Sequence, residues 1–217
     1  MKKPDITPAI IIVGCGPGSP EYITPVALRA VKGAEIVAGA KRLLNLFPDL
    51  QDKTIIEMGS QVETVLNQMA AHPDRPMVVL VSGDPGLSSL ARPVIERFGR
   101  EACRIIPGIS SIQVAFARLG LDWAQARIID AHGRDPEVDL GEVLQSGVEK
   151  IAVLGGRKGS LEWLAKVVKG LGPDWVVYLM ENLTLPEEQI RMVEPEDLGL
   201  LQVSSKVVFL IIKKMSS

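Results

Sequence analysis

Cysteine and histidine are each present only twice, as Cys15 and Cys103 and as His72 and His132. The cysteines sit in a glycine loop and at the head of an apolar run, without metal-ligand spacing, and read as reduced thiols. Two histidines cannot build a His-rich metal centre, although magnesium held by carboxylates alone stays open. No metal site is predicted. Neither sign of charge dominates: 24 Lys and Arg against 26 Asp and Glu leave a formal net charge of −2. Nothing global therefore draws the chain to nucleic acid or to an anionic membrane, and any anionic ligand has to be held by local Arg and Lys groups. No apolar run approaches the ~20 residues that span a bilayer. The leading MKKPDITPAI has no secretory apolar region. The expectation is a cytoplasmic protein that holds any anionic substrate at a local site and not on a basic surface.

What is present is a globular composition, 47% hydrophobic and 23% charged over 217 residues. That length fits one large domain or two α/β lobes. In the first half, short β-branched runs (Ala9–Val13, Ile36–Val37, Met77–Ser82, Arg104–Ile106) alternate with helical patterns (Ala27–Val31, Val62–Met69, Leu87–Phe98, Ser110–Leu119). This rhythm predicts a mainly parallel sheet. Runs such as Met77–Val81 are apolar throughout, as in strands covered on both faces. Later strands are expected at Ala126–Asp130, Lys150–Leu154, Trp175–Met180, Gln189–Val193 and Lys206–Ile212, with helices only around Gly141–Gln145 and Ser160–Lys169. Strands joined without a helical crossover are more naturally antiparallel, so a mixed C-terminal sheet is expected. Gly120-Leu121-Asp122 marks the expected boundary between an N-terminal lobe, 1–119, and a C-terminal lobe, 120–217.

Three glycine loops follow predicted strands. The first, Gly14-Cys15-Gly16-Pro17-Gly18-Ser19-Pro20, leads to a helix that Thr24 can cap, with Pro25 at its first position. It is not a Rossmann fingerprint, because the third glycine comes one place early and Pro17 removes an amide donor. It is not a P-loop either, since no Gly-Lys-Ser/Thr follows. Taken alone it is as readily a structural turn as a ligand loop. The second, Ser82-Gly83-Asp84-Pro85-Gly86, follows the strongest predicted strand, and by itself reads more readily as an ordinary turn. In the third, Pro107-Gly108-Ile109-Ser110-Ser111, a serine either caps the next helix or meets a ligand. Ligands in open α/β sheets bind beyond the carboxyl ends of strands, where all three loops are expected.

The ordered series G-x-G-P-G-x-x-x-x-x-T, S-G-D-P and P-G-I-S-S resembles the tetrapyrrole (corrin/porphyrin) methylase family. The later Glu181-Asn182-Leu183-Thr184 stretch, followed by Pro186 and Gln189, is similar to that family's E-N-x-T-x-P-x-x-Q segment. Val37-Ala38-Gly39-Ala40-Lys41-Arg42-Leu43 and Asp130-Ala131-His132-Gly133-Arg134 look like features of its precorrin-7 C5-methyltransferase branch.

The resemblance implies a two-lobed tetrapyrrole methylase fold, mainly parallel in its N-terminal sheet and mixed in its C-terminal one, with S-adenosylmethionine in the cleft between the lobes and the tetrapyrrole above it. Gly83, Asp84, Leu87, Ser110, Ser111 and Leu154 would approach the cofactor. Pro17, Lys41, Arg42, His132 and Arg134 would be on the substrate side, with Arg157 and Lys158 as further basic groups near predicted loops. Arg forks suit the substrate's carboxylates, and no obligatory side-chain nucleophile is assigned. The implied activity is C-methylation of precorrin-7 or cobalt-precorrin-7 at C5 in cobalamin biosynthesis, by a homodimer. The chain ends at Ser217 without a second methyltransferase, so a separate C15-methylating, decarboxylating subunit is expected as a functional pair. The alternatives are a diphthine synthase-like protein methyltransferase and a non-catalytic tetrapyrrole carrier.

Overall fold

A computed structural model describes residues 9–59, 61–132, 136–145, 147–156 and 160–214. The chain forms two compact units, dividing between Ser110 and Ser111.

The first unit contains β1 (Ile10–Gly14), α1 (Pro25–Gly33), β2 (Ile36–Gly39), α2 (Lys41–Leu44), β3 (Thr54–Glu57), α3 (Val62–Ala70), β4 (Met77–Val81), α4 (Ala91–Phe98) and β5 (Cys103–Ile106). Its five strands make a parallel sheet in the order β3-β2-β4-β1-β5. Side chains along a strand alternate between faces, and here both faces are buried. Ile10 and Ile12 of β1, Ile36 and Ala38 of β2, and Met77, Val79 and Val81 of β4 pack with α3 and α4 through Val65, Leu66, Met69, Ala91 and Val94. The intervening Val13, Val37, Val78 and Leu80 pack with α1 and α2 through Ala27, Val31, Leu43 and Leu44. Hence β4 is apolar at every position and wholly buried.

The chain leaves β1 toward the face covered by α1, and leaves the adjacent β4 toward the face covered by α4. Such a divergence is a topological switch point, the place at the carboxyl edge where open α/β sheets bind ligands. Thr24 caps α1 as expected, accepting the Ala27 amide at 3.2 Å, with Pro25 at the first helical position.

The second unit contains α5 (Ser111–Arg118), β6 (Arg127–Asp130), α6 (Leu140–Gln145), β7 (Lys150–Leu154), α7 (Ser160–Leu171), β8 (Trp175–Glu181), β9 (Gln189–Val193) and β10 (Val207–Lys213). Its sheet order is β6-β7-β10-β8-β9, with β6 and β7 parallel and the remaining pairs antiparallel. This is the mixed sheet that the shortage of crossover helices predicts. Ile151, Val153, Val177, Leu179, Phe209 and Ile211 form one core with Val143 of α6 and Leu164, Val167, Val168 and Leu171 of α7. Helix α5 packs against β10, which groups it with this unit and sets the division upstream of the 119/120 boundary expected from sequence. Among the described residues no helix is long and apolar enough to cross a membrane.

Candidate functional site

In the first unit the parallel strands bring the loops after β1, β2, β4 and β5 to one edge. The first two glycine loops pair through backbone: the Gly83 amide donates to the Gly16 carbonyl at 2.8 Å, and the Gly16 amide donates to the Gly83 carbonyl at 3.3 Å. The third packs directly on both. A Cβ at Gly108 would lie 2.3 Å from the Gly83 carbonyl oxygen and 2.8 Å from the Gly14 carbonyl carbon, and one at Gly14 would lie 2.6 Å from the Gly108 nitrogen. Glycine is required at both positions because backbone meets backbone where a side chain would stand.

Asp84 joins the second and third loops. Its Oδ1 accepts the Gly86 amide at 2.8 Å and its Oδ2 accepts the Gly108 amide at 3.0 Å. Helix α4 begins at Ala91, so Leu87 lies in a turn and not in a helix running from Leu87 as the sequence pattern suggested. Ser89 Oγ donates to the Pro85 carbonyl at 2.6 Å and accepts the Ala91 amide at 3.1 Å. Ser88 takes φ of +48°, a conformation that ends any regular helix there. Ser110 is buried at the end of the third loop, and Ser111 opens α5.

Lys41 and Arg42 follow β2 at the same edge, in the four-residue α2. Both are exposed, and among the described residues neither has an ion-pair partner. Pro17 lies in the first loop, half-buried. Cys15 points into the core, where burial pushes its thiol up to about 12, against smaller opposing effects of a Val81 backbone hydrogen bond and the Arg42 charge. It is a packed, protonated thiol and not a nucleophile.

The second unit has a corresponding edge. The register runs Asp130, Leu154, Val208, Met180, Ile190 across all the strands, so the segments beyond Asp130, Leu154 and Glu181 and before Val207 cluster there. His132 is exposed; its amide donates to Asp130 Oδ1 at 3.0 Å, and its ring Nδ1 lies 3.7 Å from that oxygen. Leu154 is buried. Arg134, Gly133, Arg157 and Lys158 lie outside the described residues.

The turn after β8 carries polar groups that sequence reasoning only partly singled out. The buried Glu181 accepts the Ser204 amide at 2.6 Å, and Ser204 Oγ donates to Asn182 Oδ1 at 3.0 Å. Glu188, which the sequence reading passed over, accepts from Arg118 at 2.6 and 3.1 Å and from the Thr184 amide at 2.5 Å. It fixes Thr184 at φ of +70° and ties the turn to α5. The only sequence signal was an acidic residue inside the E-N-L-T-L-P-E-E-Q stretch.

The Arg118 hydrogen bonds, with the Thr184 amide helping against burial, hold the Glu188 carboxyl below its ordinary 4.5. A depressed folded value means that stabilisation is fully present above about pH 4.5 and is lost as pH falls through the folded value. Glu188→Gln is expected to lower unfolding stability by about 1–2 kcal/mol at pH 7. The difference from wild type should shrink in acid; denaturant melts at pH 7 and pH 3 check both the size and the sign.

Among the described residues no group of three or more His, Cys, Asp or Glu side chains can hold a metal ion. A topological switch point and three backbone-packed glycine loops suit a small organic ligand held by backbone and shape.

Residues 9–198 match the family model of the Tetrapyrrole (Corrin/Porphyrin) Methylases, and the chain belongs to that family. Cobalt-precorrin-7 C(5)-methyltransferase of Salmonella typhimurium is 34% identical over 183 residues, covering 84% of this chain and 89% of that protein. The crystal structure of the cobalamin biosynthesis precorrin-6Y methylase of Archaeoglobus fulgidus has a TM-score of 0.73 at 26% identity, covering 95% of this chain and 98% of that one. Uroporphyrin-III C-methyltransferase of Thermus thermophilus, solved in complex with S-adenosylhomocysteine, has a TM-score of 0.73 at 21% identity, covering 93% and 91%. These findings bear out the expected family and the two-lobed α/β fold.

Proposed function

We propose that this protein transfers a methyl group from S-adenosylmethionine to C5 of a corrinoid precursor, precorrin-7 or cobalt-precorrin-7, in cobalamin biosynthesis. The observation that carries the reading is the 34% identity to the Salmonella C(5)-methyltransferase across 84% of the chain. The geometry supports it, because the three loops carrying the family motifs pack together at one edge of the sheet.

One specific observation supports a cofactor at that edge. A Cβ built at Gly83 meets nothing nearer than Ser110 Cα at 3.7 Å, so the backbone there is open to a ligand while its neighbours are packed. On this reading Gly83, Asp84, Leu87, Ser110, Ser111 and Leu154 hold the cofactor. When bound, S-adenosylmethionine supplies a methyl group on a sulfonium sulfur, open to attack by a nucleophilic ring carbon.

The chain's own task is orientation, which can lower a barrier by roughly 7–11 kcal/mol in favourable cases. The paired loops hold their amides in fixed directions. Lys41 and Arg42, exposed and without ion-pair partners among the described residues, meet substrate carboxylates at the same edge. Pro17 and His132 are on the substrate side in this reading, as is Arg134. The protein works in the cytoplasm as a homodimer, with a separate subunit supplying C15 methylation and decarboxylation.

The test is mass spectrometry after incubation with labelled S-adenosylmethionine and either metal-free or cobalt-bearing precursor. One methyl added at C5 is expected in one or both arms, and the pair reports the metal state of the substrate. Methylation confined to uroporphyrinogen overturns the branch, label on a translation factor overturns the substrate class, and binding of both ligands without turnover marks a carrier.

A further inference from the structure

Asp84 belongs to the loop proposed above to hold the cofactor, and its carboxylate is already engaged within the protein. One oxygen closes a local turn on the Gly86 amide at 2.8 Å, and the other reaches across to the Gly108 amide at 3.0 Å. Gly108 belongs to the loop after the edge strand β5, whereas Asp84 follows β4, and β1 lies between those strands. The Asp84–Gly108 bond therefore spans the first glycine loop and closes the group of three. Gly83 and Gly16 already join the first two loops through paired backbone hydrogen bonds. The third loop has backbone packing on Gly14 and Gly83 but, against the second loop, this charge-assisted bond fixes its direction.

We infer that Asp84 is a positioning residue: its carboxylate sets the loop Pro107–Ser111 against Gly83, and so presents Ser110 and Ser111 to the cofactor, instead of serving chiefly as a direct ligand of it. The inference rests on the reading of this edge as the S-adenosylmethionine site, but the clamp itself is a property of the unliganded protein and can be measured there. No other carboxylate in this chain follows β1, β4 or β5 within these loop motifs, since the first and third loops offer only Cys, Pro, Ile and Ser beside their glycines. Asp84 is thus the one acceptor of its kind the three loops contain.

Asp84→Asn separates the two bonds. An asparagine retains the local turn through its single carbonyl oxygen, as Asx turns do, and then turns its NH2 donor toward the Gly108 N–H. Two donors face each other and the long-range bond is lost. Asp84→Ser makes the same separation by a different route, because a serine hydroxyl closes a similar local turn but is too short to reach Gly108. Either variant should leave the sheet core intact, since neither touches the buried side chains of β1, β4 or β5.

The experiment compares wild type with both variants in two measurements. Amide hydrogen exchange in the unliganded proteins reads the Gly108 N–H, and calorimetry reads S-adenosylhomocysteine affinity. Exchange at Gly108 is expected to rise by about tenfold or more in the variants, with S-adenosylhomocysteine bound about tenfold or more weakly, as loss of one charge-assisted bond implies. Exchange at Cys15, whose amide donates to Val81 at 2.9 Å within the sheet, should stay at the wild-type rate.

Unchanged exchange at Gly108 overturns the clamp, whatever happens to affinity; weaker binding with unchanged exchange makes the carboxylate a direct ligand. Faster exchange with wild-type affinity overturns the positioning role. Should wild type itself fail to bind S-adenosylhomocysteine, the proposed cofactor fails, while the exchange comparison still decides whether Asp84 holds the loop. If one variant does not fold, the other decides.

Discussion

Gly108→Ala is expected to lower kcat/KM for methyl transfer by about 100-fold, and to destabilise the first unit by about 2–3 kcal/mol. The added methyl would stand 2.3 Å from the Gly83 carbonyl oxygen, where ordinary contact begins at 3.4 Å, so the loops must separate by about 1 Å. Neither neighbour is a side-chain tip that can swing away; both are backbone, anchored to the β1 and β4 strand ends. Overpacking of this kind costs roughly 1–3 kcal/mol, and a misplacement of about 1 Å in a positioning site can cost about 100-fold in rate. Denaturant melts and steady-state kinetics with S-adenosylmethionine varied read the two effects. Gly33→Ala is the control, because a Cβ there meets nothing within 4 Å in an exposed helix end. It should leave both numbers within error or raise stability slightly. Wild-type kinetics in Gly108→Ala would show that the third loop does not set the cofactor's position.

How much of this arrangement could be read from the chain differs between its parts. The parallel sheet was legible because β1, β2 and β4 are covered on both faces, which leaves continuous apolar runs with no alternation. Strand β3 was not, because it is an edge strand in which only Ile56 is buried among Thr54, Ile55 and Glu57. The short α2 was missed for a related reason: it spans Lys41–Leu44, too few residues to show a helical period.

The start of α4 had an unread signal. Pro93 lacks an amide and is tolerated in the first turn of a helix but not in its interior. A helix beginning at Leu87 would have placed it well inside, whereas one beginning at Ala91 places it in the first turn. The glycine loops were recognisable as a series, and a local turn at Asp84 could be read from Gly86 two residues on. Its second partner, Gly108, could not, because the bond depends on β5 joining the sheet beside β1. The same limit applies to Glu188, whose partners Arg118 and Thr184 meet only when α5 lies against the turn after β8.

Gly156→Ala is expected to be the most destabilising single-methyl change in the second unit, by about 3 kcal/mol or more. Two costs combine there. Gly156 takes φ of +106°, which an alanine adopts only under strain. Its Cβ would also lie 2.3 Å from the Ser205 carbonyl oxygen and 2.9 Å from that carbonyl carbon. Relief requires moving the chain just before β10, which is held by Ser204 bonded to Glu181 and Asn182, and by the Gly155 amide bonded to Val207 at 3.1 Å. The neighbouring Gly155→Ala separates the causes, since its φ is not in the left-handed region and its Cβ meets only side chains, Phe209 Cε2 at 2.8 Å and Val207 Cγ1 at 3.0 Å. Overpacking without backbone strain should cost about 1–2 kcal/mol. Because this segment leads out of Leu154, which is proposed above to contact the cofactor, Gly156→Ala should also weaken S-adenosylhomocysteine binding in whatever fraction stays folded. Denaturant melts of the two variants, with calorimetry under conditions where each is folded, give the comparison. Equal losses would mean that the φ at Gly156 carries no strain, and a wild-type melt for Gly156→Ala would mean that the segment is not held against Ser205.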